Sequence, residues 1–161
     1  MELSIPYSIA SLFITVAAFS GIPGGILIMI LSGHIGTKKS LGISYTLEAL
    51  SVLFIIFGGS NVFLLMVGMG WFGVLYGAIF PLVAACAREY FPREVTGTVL
   101  GLLTIFYGIG AMVSPVLTGY LADITGTFKW SFGVGAFAAF LAGLSIAFLR
   151  RPRDFYEENV T

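Results

Sequence analysis

The chain has 161 residues, of which 58% are hydrophobic and only 10% are charged, and its formal net charge is zero. In globular proteins about a quarter of the residues are charged. This composition and a mean hydropathy of +1.00 therefore indicate an integral membrane protein. The eight acidic and eight basic residues are too few and too scattered for a nucleic-acid surface. A single cysteine, Cys86, excludes an internal disulfide.

Apolar stretches long enough to cross a bilayer occur five times. A hydrocarbon core about 30 Å thick needs roughly 20 residues of helix. The stretches lack the alternation of a membrane barrel, and the start MELSIPYS has no basic residue to favour a cleaved signal peptide, the alternative for the first stretch. We predict an all-α membrane domain over residues 1–153 and a tail over 154–161, with spans at about 8–31, 41–57, 62–87, 95–122 and 130–149.

The first span ends in the segment MILSGHIGTKKSL, where glycines and basic residues interrupt the apolar run. Gly36 permits the left-handed backbone that a tight turn between helices needs. We expect Lys38 and Lys39 to anchor this turn among anionic headgroups or against carboxylates such as Glu89 and Glu94.

The second span contains Glu48, the one carboxylate that is well inside a predicted span. It follows the cytoplasmic start of that span by seven residues, and so lies at a depth on the order of 10 Å. Ionisable groups at such depth are costly and often functional. A proton-coupling role is one interpretation, and pairing with a hydroxyl or reaching toward the interface is the other.

Small residues recur along the third and fourth spans. In the third span they are Gly70, Gly73, Gly77 and Pro81. In the fourth they follow at steps of three or four and share one helix face, which consists of Gly97, Gly101, Thr104, Gly108, Ala111, Pro115 and Gly119. Such a face lets another helix approach closely, because packing drives helix association in lipid. Helix bending is the second interpretation.

The lysines and arginines predict the orientation, because cytoplasmic loops are enriched in them. Seven of the eight follow the first, third or fifth span, and only Lys129 lies on the opposite side. We therefore predict a multi-pass protein of the cell membrane with its amino terminus outside and its carboxyl terminus in the cytoplasm.

Several segments, taken in order, resemble one known family. MILSGHIGTKKSL is similar to the loop signature G-x-L-(small)-D-R-x-G-R-K-x-x-L, with agreement at Leu31, Ser32, Gly36, Lys38, Lys39 and Leu41. Different residue types stand at Met29, Gly33, His34 and Thr37. AREYFPREVTGTVLGL, GIGAMVSPVLTGYLADITGTFKWSF and the ending RRPRDF follow in the family's order. The chain thus resembles the major facilitator superfamily, especially its oxalate/formate antiporter and monocarboxylate-transporter-like branches.

This resemblance implies that the spans correspond to helices eight to twelve of that fold, a partial carboxyl-terminal half. The amino-terminal half and the seventh helix would then be absent, as an odd number of spans beginning outside also suggests. It further implies a substrate cavity lined by the first, third and fourth spans. The polar candidates for that lining are Tyr76, Thr104, Tyr107 and Ser114, for which hydrogen bonding to a neighbouring helix is the alternative role. No lysine or arginine lies inside a span, which argues against an oxalate-like substrate.

No enzyme motif is visible, and we expect neither a cofactor nor a metal site. Two functions remain. The first is part of a secondary active transporter of a small solute such as an organic anion, truncated or split and inactive alone, whose partners are the bilayer and the missing amino-terminal half or another copy. The second is a non-transporting membrane subunit that associates with partner helices through its glycine faces.

Overall fold

The structure is a computed structural model that describes residues 7–59 and 61–149. Its helices are α1 Tyr7–Ile35, α2 Thr37–Phe57, α3 Val62–Tyr90, α4 Arg93–Thr125 and α5 Lys129–Ala147. All five are long and apolar enough to cross a membrane, and the described residues contain no strand. The predicted all-α membrane fold is therefore confirmed.

The helices extend beyond the predicted spans where polar residues begin. α1 continues to Ile35 and α2 starts at Thr37, so Gly36 alone separates them. Its φ of 95° lies in the region that favours glycine, as the sequence predicted. Hydropathy falls at the first polar residues, but helical hydrogen bonding continues because headgroups and water solvate those side chains. Lys38 and Lys39 consequently lie in the first turn of α2 rather than in a loop.

α1 and α3 pack along a seam of glycines, here called the α1–α3 seam, which comprises Gly21, Gly24, Gly25, Gly73 and Gly77. A Cβ atom built on Gly25 would lie 2.9 Å from the Gly77 carbonyl oxygen. One built on Gly77 would overlap the backbone of Gly21. Any side chain at these positions would force the two backbones apart. The close packing predicted for the small residues of the third span is thus present at Gly73 and Gly77.

α2 packs between α3 and α5 and supplies much of the buried surface. Against α5, a Cβ atom built on Gly143 would lie 2.8 Å from the Thr46 hydroxyl oxygen. The buried face of α2 is unusually polar, because it carries Thr37, Ser40, Ser44, Glu48 and Ser51 at steps of three or four. In lipid, polar side chains face the protein interior rather than the hydrocarbon. The apolar part of the core consists of Leu41, Ala78, Leu82, Cys86 and Tyr90.

α4 is the least integrated helix. Of its 33 residues, Thr96 alone is buried within the described chain. Its contacts with α3 and α5 are sparse compared with those that join α1 to α3 and α2 to α5. A long apolar helix is therefore attached to the remaining four over a small area.

Candidate functional site

A cavity of about 370 Å³ lies between α3 and α4 and is closed on one side by α2. Three of the four side chains predicted to line a cavity, Tyr76, Thr104 and Tyr107, meet here. We call it the tyrosine cavity. Its complete lining is Tyr45, Tyr76, Ile79, Phe80, Val83, Leu100, Leu103, Thr104 and Tyr107. Binding sites for small molecules have a similar character, being mostly apolar with a few polar groups.

A hydrogen bond between two tyrosines joins the helices that form the cavity. The hydroxyl oxygens of Tyr76 on α3 and Tyr107 on α4 are 2.7 Å apart. Either hydroxyl can donate in this pair, so one O–H group remains free to donate to a ligand. The ring of Tyr76 also stacks on Phe72, with ring centroids 5.6 Å apart. The hydroxyl of Thr104 donates to the Leu100 carbonyl oxygen at 2.8 Å, which satisfies its donor within α4.

Glu48 is a buried carboxylate on α2, about one turn from the cavity-lining Tyr45. Its side chain is only 8% exposed, and its carboxyl group is close enough to interact electrostatically with the hydroxyls of Tyr45 and Tyr76. Because α2 begins at Thr37 rather than Leu41, Glu48 is about 16 Å along the helix instead of about 10 Å. It therefore occupies the middle of a 21-residue helix.

Tyr45 lines the cavity although the sequence did not predict it there. Its spacing could have predicted this position. Tyr45 precedes Glu48 by three residues, so the two side chains are neighbours on the surface of α2. The polar face of α2 was also missed, although its residues recur at helical steps. The family resemblance implies a cavity lined by the first, third and fourth spans, so it does not predict a lining residue on α2.

Ser114 lies outside the tyrosine cavity and is exposed on α4. It is seven residues, or about two turns, beyond Tyr107, and the cavity does not extend that far along the helix. A separate apolar hollow of about 590 Å³ follows the α1–α3 seam and shares Tyr76 with the tyrosine cavity. Whether Ser114 lines a larger substrate path stays a prediction.

The junction between α1 and α2 holds together neighbouring ends of α2, α3 and α5. The Thr37 hydroxyl donates to the Glu89 carboxylate at the end of α3. The Lys38 ammonium group donates to the carbonyl oxygens of Ala147 and Leu149, at 3.0 and 2.5 Å. The expectation that Lys38 and Lys39 lie among anionic headgroups or against carboxylates stays a prediction, and the structure adds these backbone contacts of Lys38. As the second residue of α2 it reaches the last carbonyls of α5, where a positive charge is favoured by the helix dipole.

The other residues of the loop signature make more local contacts. Ser32 is buried, and its hydroxyl donates to the Met29 carbonyl oxygen at 2.7 Å. Leu31 and Lys39 are exposed. The contact of Lys39 with headgroups stays a prediction, whereas Lys38 bonds to carbonyl oxygens at the end of α5.

The small-residue face of α4, called the α4 glycine face, consists of Gly97, Gly101, Gly108, Pro115 and Gly119. Within the part of the chain that the structure describes, no atom lies within 4 Å of a Cβ built on any of the four glycines. The close approach expected there is not made by α1, α2, α3 or α5. It stays a prediction for a helix from outside the described chain.

Two further predictions extend to residues that the structure does not describe. The tail 154–161 lies outside the described residues, as do three of the arginines that predict the orientation. Neither the domain boundary nor the sidedness of the termini is tested by the helices themselves. Among the described residues, no group of three or more His, Cys, Asp or Glu side chains could hold a metal ion.

Comparison with known proteins identifies the family. The model of the Major Facilitator Superfamily matches residues 1–160. The chain is also similar to monocarboxylate transporter 12-B of Danio rerio, with 26% identity over 168 residues. That alignment covers 99% of the chain but only 35% of the relative, so the chain spans about a third of the curated protein it matches. No solved structure matches. The five membrane-spanning helices and the match over nearly every residue establish that the chain belongs to the Major Facilitator Superfamily.

Proposed function

We propose that this chain is part of a secondary active transporter that moves a small solute across the membrane, and that the tyrosine cavity belongs to the solute path. The observation that carries the proposal is the convergence of Tyr76, Thr104 and Tyr107, polar side chains at membrane depth, in one cavity between α3 and α4. Family membership favours a transporter over an enzyme. Such carriers bind their solutes near the bilayer midplane, between groups of helices.

We further propose that the chain acts together with additional helices, supplied by a separate amino-terminal half or by another copy. Its coverage of 35% of a transporter relative supports this. The exposure of α4 supports it as well, because Tyr107 is 58% exposed in the described chain although it lines the cavity. Alternating access requires two groups of helices that move about a solute between them. Five helices supply one wall of such a site, so the chain alone is inactive.

A non-transporting subunit is the second candidate. The α4 glycine face favours it, because a surface that accepts a partner helix serves an accessory subunit equally well. The two candidates differ in what happens at the tyrosine cavity. A transporter needs the cavity polar groups for flux, whereas a subunit that only associates does not.

The test is a counterflow assay in liposomes with two samples. One contains the isolated chain, and the other contains the chain co-expressed with the product of any upstream reading frame that encodes six or seven spans. Labelled lactate, oxalate and choline serve as solutes. We expect no saturable uptake by the isolated chain, saturable uptake of at least one solute by the pair, and a loss of that uptake in Tyr107→Phe.

Ser145→Ala is the matched control, because that hydroxyl bonds to the Leu141 carbonyl within α5, away from the cavity. Uptake by the pair that is equal in Tyr107→Phe and wild type would remove the cavity from the path. A stable pair without any flux would favour the accessory subunit. Substrate-specific counterflow by the isolated chain would contradict the need for further helices.

A further inference from the structure

Charge is distributed very unevenly along the described helices. The lysines and arginines of the described residues all lie within three residues of a helix end, namely Lys38, Lys39, Arg88, Arg93 and Lys129. The acidic side chains Glu89, Glu94 and Asp123 lie near helix ends too. Among the Asp, Glu, Lys and Arg residues of the described helices, Glu48 alone lies in a helix interior. An anion in the tyrosine cavity would find no positive partner on these five helices, and an unpaired charge at such depth is costly.

The cavity wall is instead suited to a cation. Four of its nine lining residues are aromatic, Tyr45, Tyr76, Phe80 and Tyr107. The faces of aromatic rings carry negative potential and attract ammonium groups, most strongly where water is excluded. The tyrosine hydroxyl oxygens offer lone pairs to a cation as well.

The carboxyl group of Glu48 supplies the counter-charge. It is buried at 8% exposure, and no described residue forms an ion pair with it or hydrogen-bonds to its side chain. The titratable groups that face it are Tyr45 on its own helix and Tyr76 on α3, with Tyr107 of α4 beside Tyr45. The described part of α5 contributes only Lys129, which is the first residue of that helix. Coulomb attraction is strong in this low-dielectric setting.

We propose that the tyrosine cavity binds a small organic cation, with the aromatic side chains as its cage and Glu48 as its counter-ion. A volume of about 370 Å³ accommodates a quaternary ammonium compound of the size of choline. Binding of the cation does not depend on the proposed function. Only the identification of that cation as the transported solute rests on it.

The experiment measures equilibrium binding to the purified chain in lipid nanodiscs, with three probes of one shape and different charge. They are choline, its uncharged carbon analogue 3,3-dimethylbutan-1-ol, and the anion 3,3-dimethylbutanoate. We expect choline to bind about tenfold more tightly than either of the others, because the preference requires the aromatic faces and the charge of Glu48 together. Glu48→Gln abolishes this preference, whereas Glu94→Gln, at an exposed carboxylate of α4, preserves it.

A second pair of variants keeps the test decisive if Glu48→Gln does not fold. Tyr76→Phe retains the ring and should bind choline within about twofold of wild type, whereas Tyr76→Leu should lose the preference. Equal binding of the three probes, preference for the anion, or no saturable choline binding would each overturn the inference. Choline binding without flux in the co-expressed pair would refute transport and leave the site standing. Flux of an anion without choline binding would support the proposed transport and refute the cation site.

Discussion

The α1–α3 seam and the α4 glycine face show the same sequence pattern in two different situations. Both carry several glycines on one face of a helix. On the seam, Gly25 and Gly77 bring two backbones so close that a Cβ atom would lie within 2.9 Å of a carbonyl oxygen. On α4, a Cβ atom on Gly101 would meet nothing within 4 Å in the described chain. The spacing of small residues therefore predicts that a face can accept a helix, but not which helix it accepts.

Gly77→Leu should have the largest effect, because the new side chain would overlap the backbone of Gly21, which cannot move aside as a side chain could. Overpacking costs about 1–3 kcal/mol even where side chains can adjust, so we expect most of the folded protein to be lost. The measurement is the yield of monodisperse protein in detergent and its thermal stability.

Gly110→Leu is the matched control for this change. A Cβ built on Gly110 meets nothing within 4 Å, and the residue lies on the side of α4 opposite to Gly101. If Gly77→Leu and Gly110→Leu are equally stable, the seam is not closely packed and the contrast with α4 disappears.

Gly101→Leu should separate folding from assembly. In the isolated chain we expect its thermal stability to match wild type, because the added side chain meets no described atom. In the presence of a partner chain we expect several-fold lower abundance of the complex, because the bulk prevents a second helix from approaching. Phe106→Leu, about 140° around the helix from Gly101, is the control and should leave both quantities unchanged. A Gly101→Leu chain that assembles normally would show that this face meets lipid.

The sequence predicted the five spans and three cavity residues because each follows from a local property. Long apolar runs determine the spans, and Tyr76, Thr104 and Tyr107 stand out as polar groups at membrane depth. Pairing between helices has no such local signal. The contact of Lys38 with α5 joins residues 109 and 111 positions apart, and the lining role of Tyr45 depends on which helices α2 packs against. For the same reason the pattern on α4 does not identify its partner.

The hydrogen bond between Tyr76 and Tyr107 is a polar contact that joins the loosely packed α4 to α3. Tyr107→Phe should lower the free energy of unfolding by about 1 kcal/mol, the usual net value of one hydrogen bond. Tyr76→Phe should have a similar effect, and the double variant should lose no more than either single one. Faster amide hydrogen exchange along the cavity-facing part of α4 would accompany the change. Fully additive losses would show that the two hydroxyls act independently.

Lys38→Met should have the smallest effect, confined to the well-packed side of the molecule. The ammonium group bonds to the Ala147 and Leu149 carbonyl oxygens, and a cation at a helix carboxyl end contributes about 0.3–1 kcal/mol. We expect Lys38→Met to speed amide hydrogen exchange in the last turn of α5. Lys39→Met should leave that exchange unchanged, because the Lys39 side chain is exposed. Equal exchange in the two variants would mean that Lys38 does not cap α5.

The central claim is that a second set of helices covers α4, and labelling of single cysteines on its two sides tests it most directly. In a Cys86→Ala background, Gly101→Cys reports on the glycine face and Phe106→Cys, at a side chain 64% exposed, reports on the opposite side. A lipid-soluble maleimide is added to membranes that contain the chain alone or with its partner chain. We predict that Gly101→Cys is labelled in the isolated chain and strongly protected in the pair, while Phe106→Cys is labelled in both. Equal labelling of Gly101→Cys with and without the partner would contradict the claim.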